Sequence, residues 1–215
     1  MRYIEEKKNE EKEGRECAMK KTLNILMVGV GGQGIILSSD ILTLAAVYSG
    51  YDAKKSEIHG MSQRGGSVFS HIRFGEKIYS PVISKGETDF LISLEEMEAL
   101  RWLDLINKET CVIFTKTKIS PYGVTEYPEG IYEEIKKRIK NTILIDPATI
   151  NKETGHQKFL NIAILGHLSN YITINKNSWQ RAINELVPEG TVDKNLAAFN
   201  IGQNLKGKDL DHDME

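Results

Sequence analysis

The sequence predicts an α/β fold: an open, mostly parallel sheet with an inserted β-hairpin and a helical C-terminal layer. Three observations carry this. A short apolar run, residues 23–28, passes through a glycine-rich turn into the mostly apolar stretch Ile35–Tyr48. A run of this kind suits a strand buried on both faces of a parallel sheet. Similar runs at residues 90–94, Cys111–Thr115 and Thr142–Ile145 alternate with helix-like segments, as strands joined by crossover helices do. In the last third, Trp179, Ala182, Ile183, Leu186 and Val187 recur at helical spacing and form one apolar stripe.

The elements follow in order. Residues 1–22 are dense in Glu and Lys and are expected to be a disordered leader. Residues 23–205 then form one α/β domain, and the charged residues 206–215 a disordered tail. After the first strand and helix, Gly50 is placed to cap the helix and residues 51–57 to form the second strand. A polar, glycine-rich loop, residues 58–67, stands where a crossover helix would be usual. Residues 67–74 read as a strand, 75–77 as a turn and 78–83 as its return strand, with Pro81 marking an edge. Residues 95–106 read as a helix with acidic residues in its first turn, favourable to the helix dipole. Ile131, Ile135 and Ile139 repeat at i+4 on the next helix, and Asp146-Pro147 suits a helix start. Residues 159–172 and 192–205 complete the helical layer.

Composition excludes several classes. The chain has 215 residues, 40% of them apolar and 27% charged, with a net charge of -2. No overall field draws it to nucleic acid or to a membrane. No apolar run approaches the roughly 20 residues that span a bilayer. Its two cysteines, Cys17 and Cys111, are far apart, whereas an iron–sulfur cluster takes about four thiolates. The five histidines form no zinc pattern. A reduced, cytoplasmic setting without a resident metal is expected.

Two loops carry the candidate chemistry. Gly29, Gly31, Gly32, Gln33 and Gly34 satisfy G-x-G-x-x-G between a strand and a helix, the context of a phosphate-cradling turn in a Rossmann-like sheet. A dinucleotide site needs an acid at the end of the second strand; Asp52 comes too early and Glu57 too late to be convincing. The second loop offers His59, Ser62, Gln63, Arg64, Gly65, Gly66 and Ser67: a titratable ring, a fixed cation, side-chain donors and bare backbone. Together the loops suit an anion, if the first two strands are parallel neighbours. Each residue also has a structural reading: a turn cap for His59, an intramolecular ion pair for Arg64, a buried role for His71 and His167. No nucleophile–base set, paired carboxylates or G-K-[ST] loop is present. Donors without a reactive group suggest a helper subunit whose hard chemistry belongs to a cofactor on another chain. A free-standing dinucleotide-binding protein and a purely structural interface module are the alternatives.

Residues 29–34 and the segment His59-Gly60-Met61-Ser62-Gln63-Arg64-Gly65-Gly66-Ser67-Val68, with Ser80-Pro81, residues 161–166 and residues 195–202, mark a resemblance. The chain resembles the beta subunits of indolepyruvate:ferredoxin oxidoreductases, within the gamma-type domain family of 2-oxoacid:ferredoxin oxidoreductases. The resemblance implies oxidative decarboxylation of a 2-oxoacid, here an arylpyruvate, to acyl-CoA, with electrons passed to ferredoxin. It implies that a large alpha subunit carries thiamine diphosphate and the 4Fe-4S clusters and that this chain holds neither. No catalytic group is assigned to this chain; its two loops are expected beside a cofactor, beside CoA or at the partner interface.

Overall fold

A computed structural model describes residues 22–59, 66–120 and 126–205. The leader, the tail and most of the second loop lie outside these residues. A six-stranded sheet forms the middle layer, built from β1 (Thr22–Val30), β2 (Asp52–His59), β3 (Ser67–Gly75), β4 (Phe90–Ser93), β5 (Cys111–Thr115) and β6 (Thr142–Ile145). Their order is β2-β3-β1-β4-β5-β6. The pairs β1–β4, β4–β5 and β5–β6 are parallel, while β3 is antiparallel to both β1 and β2.

The apolar run of β1 alternates between two cores. Ile25 and Met27 face one, Leu26 and Val28 the other, and all four are fully buried. The larger core lies under α1 (Ile35–Tyr48), α4 (Pro147–Thr154), α5 (Leu160–Leu168), α6 (Lys176–Leu186) and α7 (Val192–Asn204). This is the helical layer expected of the C-terminal third. Trp179, Ala182, Ile183 and Val187 from the α6 stripe are buried in it. The opposite core lies under α2 (Glu96–Arg101) and α3 (Ile131–Arg138), where Ile131, Ile135 and Ile139 are buried.

Three local expectations change. The hairpin exists, but it joins β2 to β3, so β3 sits between β1 and β2 and the two parallel strands are not neighbours. Residues 78–83 form no strand. They run as a strap whose amides are met by side chains: Ile78 N donates to Asp52 Oδ2 at 2.8 Å and Ile83 N to His71 Nδ1 at 3.2 Å. The helix expected over residues 95–106 ends at Arg101 and continues as a turn in which Leu105 N donates to Trp102 O.

Candidate functional site

The glycine turn leaves β1 where the sheet changes direction. The chain passes from β1 through α1 to β2 on one side, while β4 flanks β1 on the other. In open α/β sheets that crevice, outside the carboxyl ends of the strands, is where ligands bind. Gly32 has φ 102° and Gly34 φ 77°, backbone states that favour glycine. Gly34 is the N-cap of α1 and brings no side chain to it, so among the described residues no side chain caps the helix. The first-turn N–H groups of this 14-residue helix therefore have no intrahelical partner and face the crevice with the positive end of the dipole.

Gln33 does not present its amide to a ligand. Oε1 accepts from Val30 N at 2.7 Å and Nε2 donates to Leu94 O at 2.5 Å. The side chain thereby pins the β1–α1 turn to the end of β4. Gly31 N is also engaged, donating to Gly66 O at 2.9 Å. Gly29 lies under the turn, where an added Cβ would stand 2.7 Å from Gln33 Oε1.

A cleft of about 750 Å³ opens beside this turn. Gly32, Gln33, Gly34 and Leu37 form one wall, and Leu94 the floor. The segment after β5 brings Lys116, Thr117, Lys118 and Ile119; the start of α4 brings Asp146, Pro147, Ala148 and Asn151; the region entering α5 brings Lys158, Leu160 and Asn161. Three lysines thus line a cleft walled by the start of α1, the Lys118 ammonium standing over the Tyr127 ring at 5.4 Å and the Lys158 ammonium over the Phe159 ring at 5.4 Å. Asp146 is the one carboxylate in the lining among the described residues, and its Oδ1 accepts from Ala148 N at 2.8 Å as the cap of α4. Asn161 is 5% exposed; its Nδ2 donates to Gly34 O at 3.3 Å and its Oδ1 has no partner among the described residues. Asn151 Oδ1 is likewise buried without a partner. Lysines, bare helix amides and unmet acceptors suit a ligand that carries phosphate together with hydrogen-bond donors.

The structure describes the first predicted loop and only the two ends of the second. Both reach the carboxyl edge of the sheet, because Ser67 pairs with Val30 and His59 with Val68. Among the described residues of the predicted set, Gly32, Gln33 and Gly34 line the cleft. Gly66 joins Gly31, and Ser67 Oγ donates to Glu98 Oε2 at 2.5 Å. Ser62, Gln63, Arg64, Gly65 and the His59 side chain lie outside the described residues. Lys116, Lys118, Lys158, Asn151 and Asn161 are additions that sequence reasoning missed. Their signal was positional: Lys116 and Lys118 directly follow an apolar strand, at the edge where such sheets bind ligands.

Behind the cleft, α2 opens with three buried acids. Glu95 accepts from Glu98 N at 2.9 Å, Ile119 N at 3.2 Å and the Tyr127 hydroxyl at 2.5 Å. Burial, reinforced by that carboxylate, pushes the Tyr127 hydroxyl above its ordinary range. Burial also raises Glu96, and raises Glu98 against the opposing pull of Ser67 and Arg101. Glu98 thus ties the start of β3 to α2. His71 and His167 are buried, and burial lowers both. The first accepts from Ile83 N and the second contacts the Tyr171 hydroxyl at 3.3 Å, as the structural reading expects.

Asp52, the acid weighed for a ribose, opens β2 instead of ending it and is used by Ile78 N. With β3 between β1 and β2, no acid from the second strand stands beside the glycine turn. This geometry weighs against a dinucleotide site. Among the described residues, no three His, Cys, Asp or Glu gather as a metal site. A lone described cysteine, Cys111, does not fit an iron–sulfur cluster. No helix among these residues is long and apolar enough to cross a membrane.

Fold and cleft define an α/β module with a lysine-lined cleft at the carboxyl edge of its sheet. The chain belongs to the pyruvate ferredoxin/flavodoxin oxidoreductase family, whose model matches residues 24–205. Among its relatives is the indolepyruvate oxidoreductase subunit IorB of Archaeoglobus fulgidus, 38% identical over 85% of this chain and 94% of that one. The 2-oxoglutarate synthase subunit KorC of Methanocaldococcus jannaschii is 31% identical over 87% of this chain and 95% of its own. The solved gamma subunit of a keto/oxoacid ferredoxin oxidoreductase from Geobacter sulfurreducens superposes with a TM-score of 0.63 at 25% identity, covering 85% of this chain and 95% of that one. The chain is therefore a relative of subunits of 2-oxoacid:ferredoxin oxidoreductases, with the indolepyruvate subunits more similar than the 2-oxoglutarate ones.

Proposed function

We propose that this chain is the beta, gamma-type subunit of an indolepyruvate-class 2-oxoacid:ferredoxin oxidoreductase and works in the cytoplasm beside a large alpha subunit. Thiamine diphosphate and 4Fe-4S clusters on that partner supply decarboxylation and electron transfer, ferredoxin takes the electrons, and the acyl group leaves on CoA. This chain supplies no reacting group. Its part is to bind and orient the phosphates of CoA: Lys116, Lys118 and Lys158 neutralise them, and the amides opening α1 receive one oxygen. Asn151 and Asn161 offer acceptors to the ligand's N–H or O–H groups. Gln33 holds the wall rigid by bridging β1 and β4.

The observation that carries this reading is a cleft at the sheet's switch point that three lysines and the N-terminus of α1 line together, in a chain of this family. The test is co-expression with the candidate large subunit. The purified pair is expected to reduce ferredoxin with indolepyruvate only when CoA is present, and faster than with pyruvate or 2-oxoglutarate. A folded pair that fails to associate, or that turns over independently of CoA, overturns it.

A further inference from the structure

The sheet's outer strand raises a separate question. β2 ends the sheet, and among the described residues nothing pairs with its free edge. Exposed edges recruit other chains unless protected by proline, a bulge or a projecting lysine. Over its eight residues β2 has no proline, and its register to β3 is unbroken. Lys55 does not project: its side chain is 16% exposed and bonded to Asp40 and to Glu57. Lys54 is paired with Asp52 at 3.3 Å. Ile58, in contrast, is 56% exposed. On the same face, the strap over residues 78–83 carries Tyr79, 89% exposed, and Val82, 53% exposed.

We propose that β2 pairs with β2 of a second copy of this chain, antiparallel, with Ser56 opposite Ser56. The register follows from charge. Two copies joined edge to edge by a two-fold axis must keep residues of one face together, so the axis passes through a residue. An axis at Lys55 sets Lys55 against Lys55, and one at Glu57 sets Glu57 against Glu57. An axis at Ser56 sets Lys55 opposite Glu57 twice, with two small hydroxyls at the centre. Opposite charges directly across a ladder stabilise it and like charges oppose it. The same register lays the Lys54 stem of each copy over the exposed Ile58 of the other. The twofold charge match selects a second copy over an unrelated strand.

The test uses the full chain carrying Ser56→Cys, with wild type as the control for Cys17 and Cys111. Opposed positions in an antiparallel pair lie within disulfide reach, whereas Lys54 faces Ile58 in this register. Under a glutathione redox buffer, Ser56→Cys is expected to give a linked dimer, and Lys54→Cys or Ile58→Cys is not. Sedimentation of wild type at about 100 µM is expected to show a dimer, weakened about tenfold or more by Lys55→Glu or Glu57→Lys. A mixture of Lys55→Glu and Glu57→Lys chains, whose charges complement each other at both crossing positions, is expected to recover dimerisation. A wild-type monomer, a dimer that Ser56→Cys does not link, or single exchanges without effect would each overturn the proposal.

Discussion

Gln33 offers a direct test of how the glycine turn is held. Its amide meets Val30 N at 2.7 Å and Leu94 O at 2.5 Å, and Val30 and Leu94 are 6% and 1% exposed. Gln33→Leu keeps the bulk and removes both bonds, stranding a buried donor and a buried acceptor. Each stranded group costs about 1–3 kcal/mol, so the variant is expected to lose about 2–4 kcal/mol, less than the full sum because water reaches the cleft side. With a urea slope of about 1–3 kcal/mol/M, the midpoint should fall by about 1 M or more. Gln33→Glu separates the two bonds. The introduced carboxylate still accepts from Val30 N but faces the Leu94 carbonyl, which it can satisfy only when protonated. Its folded pKa is therefore raised, so its contribution is present at low pH and lost as pH rises through that value. Urea titrations at pH 5 and pH 7.5 should show the Gln33→Glu deficit growing with pH and the Gln33→Leu deficit constant. A Gln33→Leu variant within about 0.5 kcal/mol of wild type would refute the bridge as a structural member.

Other outcomes follow from the same geometry. Gly34→Ala, at φ 77° with its Cβ placed 2.4 Å from Asn161 Nδ2, is expected to cost about 1–3 kcal/mol in a thermal melt. Burial lowers His71, so its contribution is complete above the unfolded pKa of about 6.5 and lost as pH falls through it. His71→Asn should shrink the loss of stability between pH 7.5 and 5.5, as measured by denaturation at each pH. Burial raises Glu98, so wild-type stability drops as pH climbs through that raised value. Glu98→Gln should flatten that drop while keeping an acceptor for Ser67, again by denaturation across pH.

Much of the fold was legible because it rests on local pattern. Alternation of short apolar runs with helical stretches located β1, β4, β5 and β6, and the Trp179 stripe located α6. The pairing of β3 was not legible. Gly75-Glu76-Lys77 looks like a hairpin turn, but the next segment meets its backbone needs through Asp52 and His71 side chains, which no periodicity signals. The site was legible only in part for a similar reason. Glycine spacing marks the β1 turn, whereas Lys116, Lys118, Lys158 and Asn161 come from separate loops and meet only once the sheet is ordered. Gln33 was visible as a polar residue in a motif. That both ends of its amide are used inside the protein depends on the nearness of β4 to β1.

The lysine-lined cleft is the proposed seat of the CoA phosphates. The measurement is the KM for CoA of the complex with its large subunit when Lys116, Lys118 and Lys158 are each replaced by alanine. We predict that each variant assembles with unchanged thiamine and iron content, that kcat holds, and that KM for CoA rises about tenfold or more, as the loss of a charged hydrogen bond implies. An unchanged KM for CoA in all three assembled variants would show that the cleft does not hold CoA.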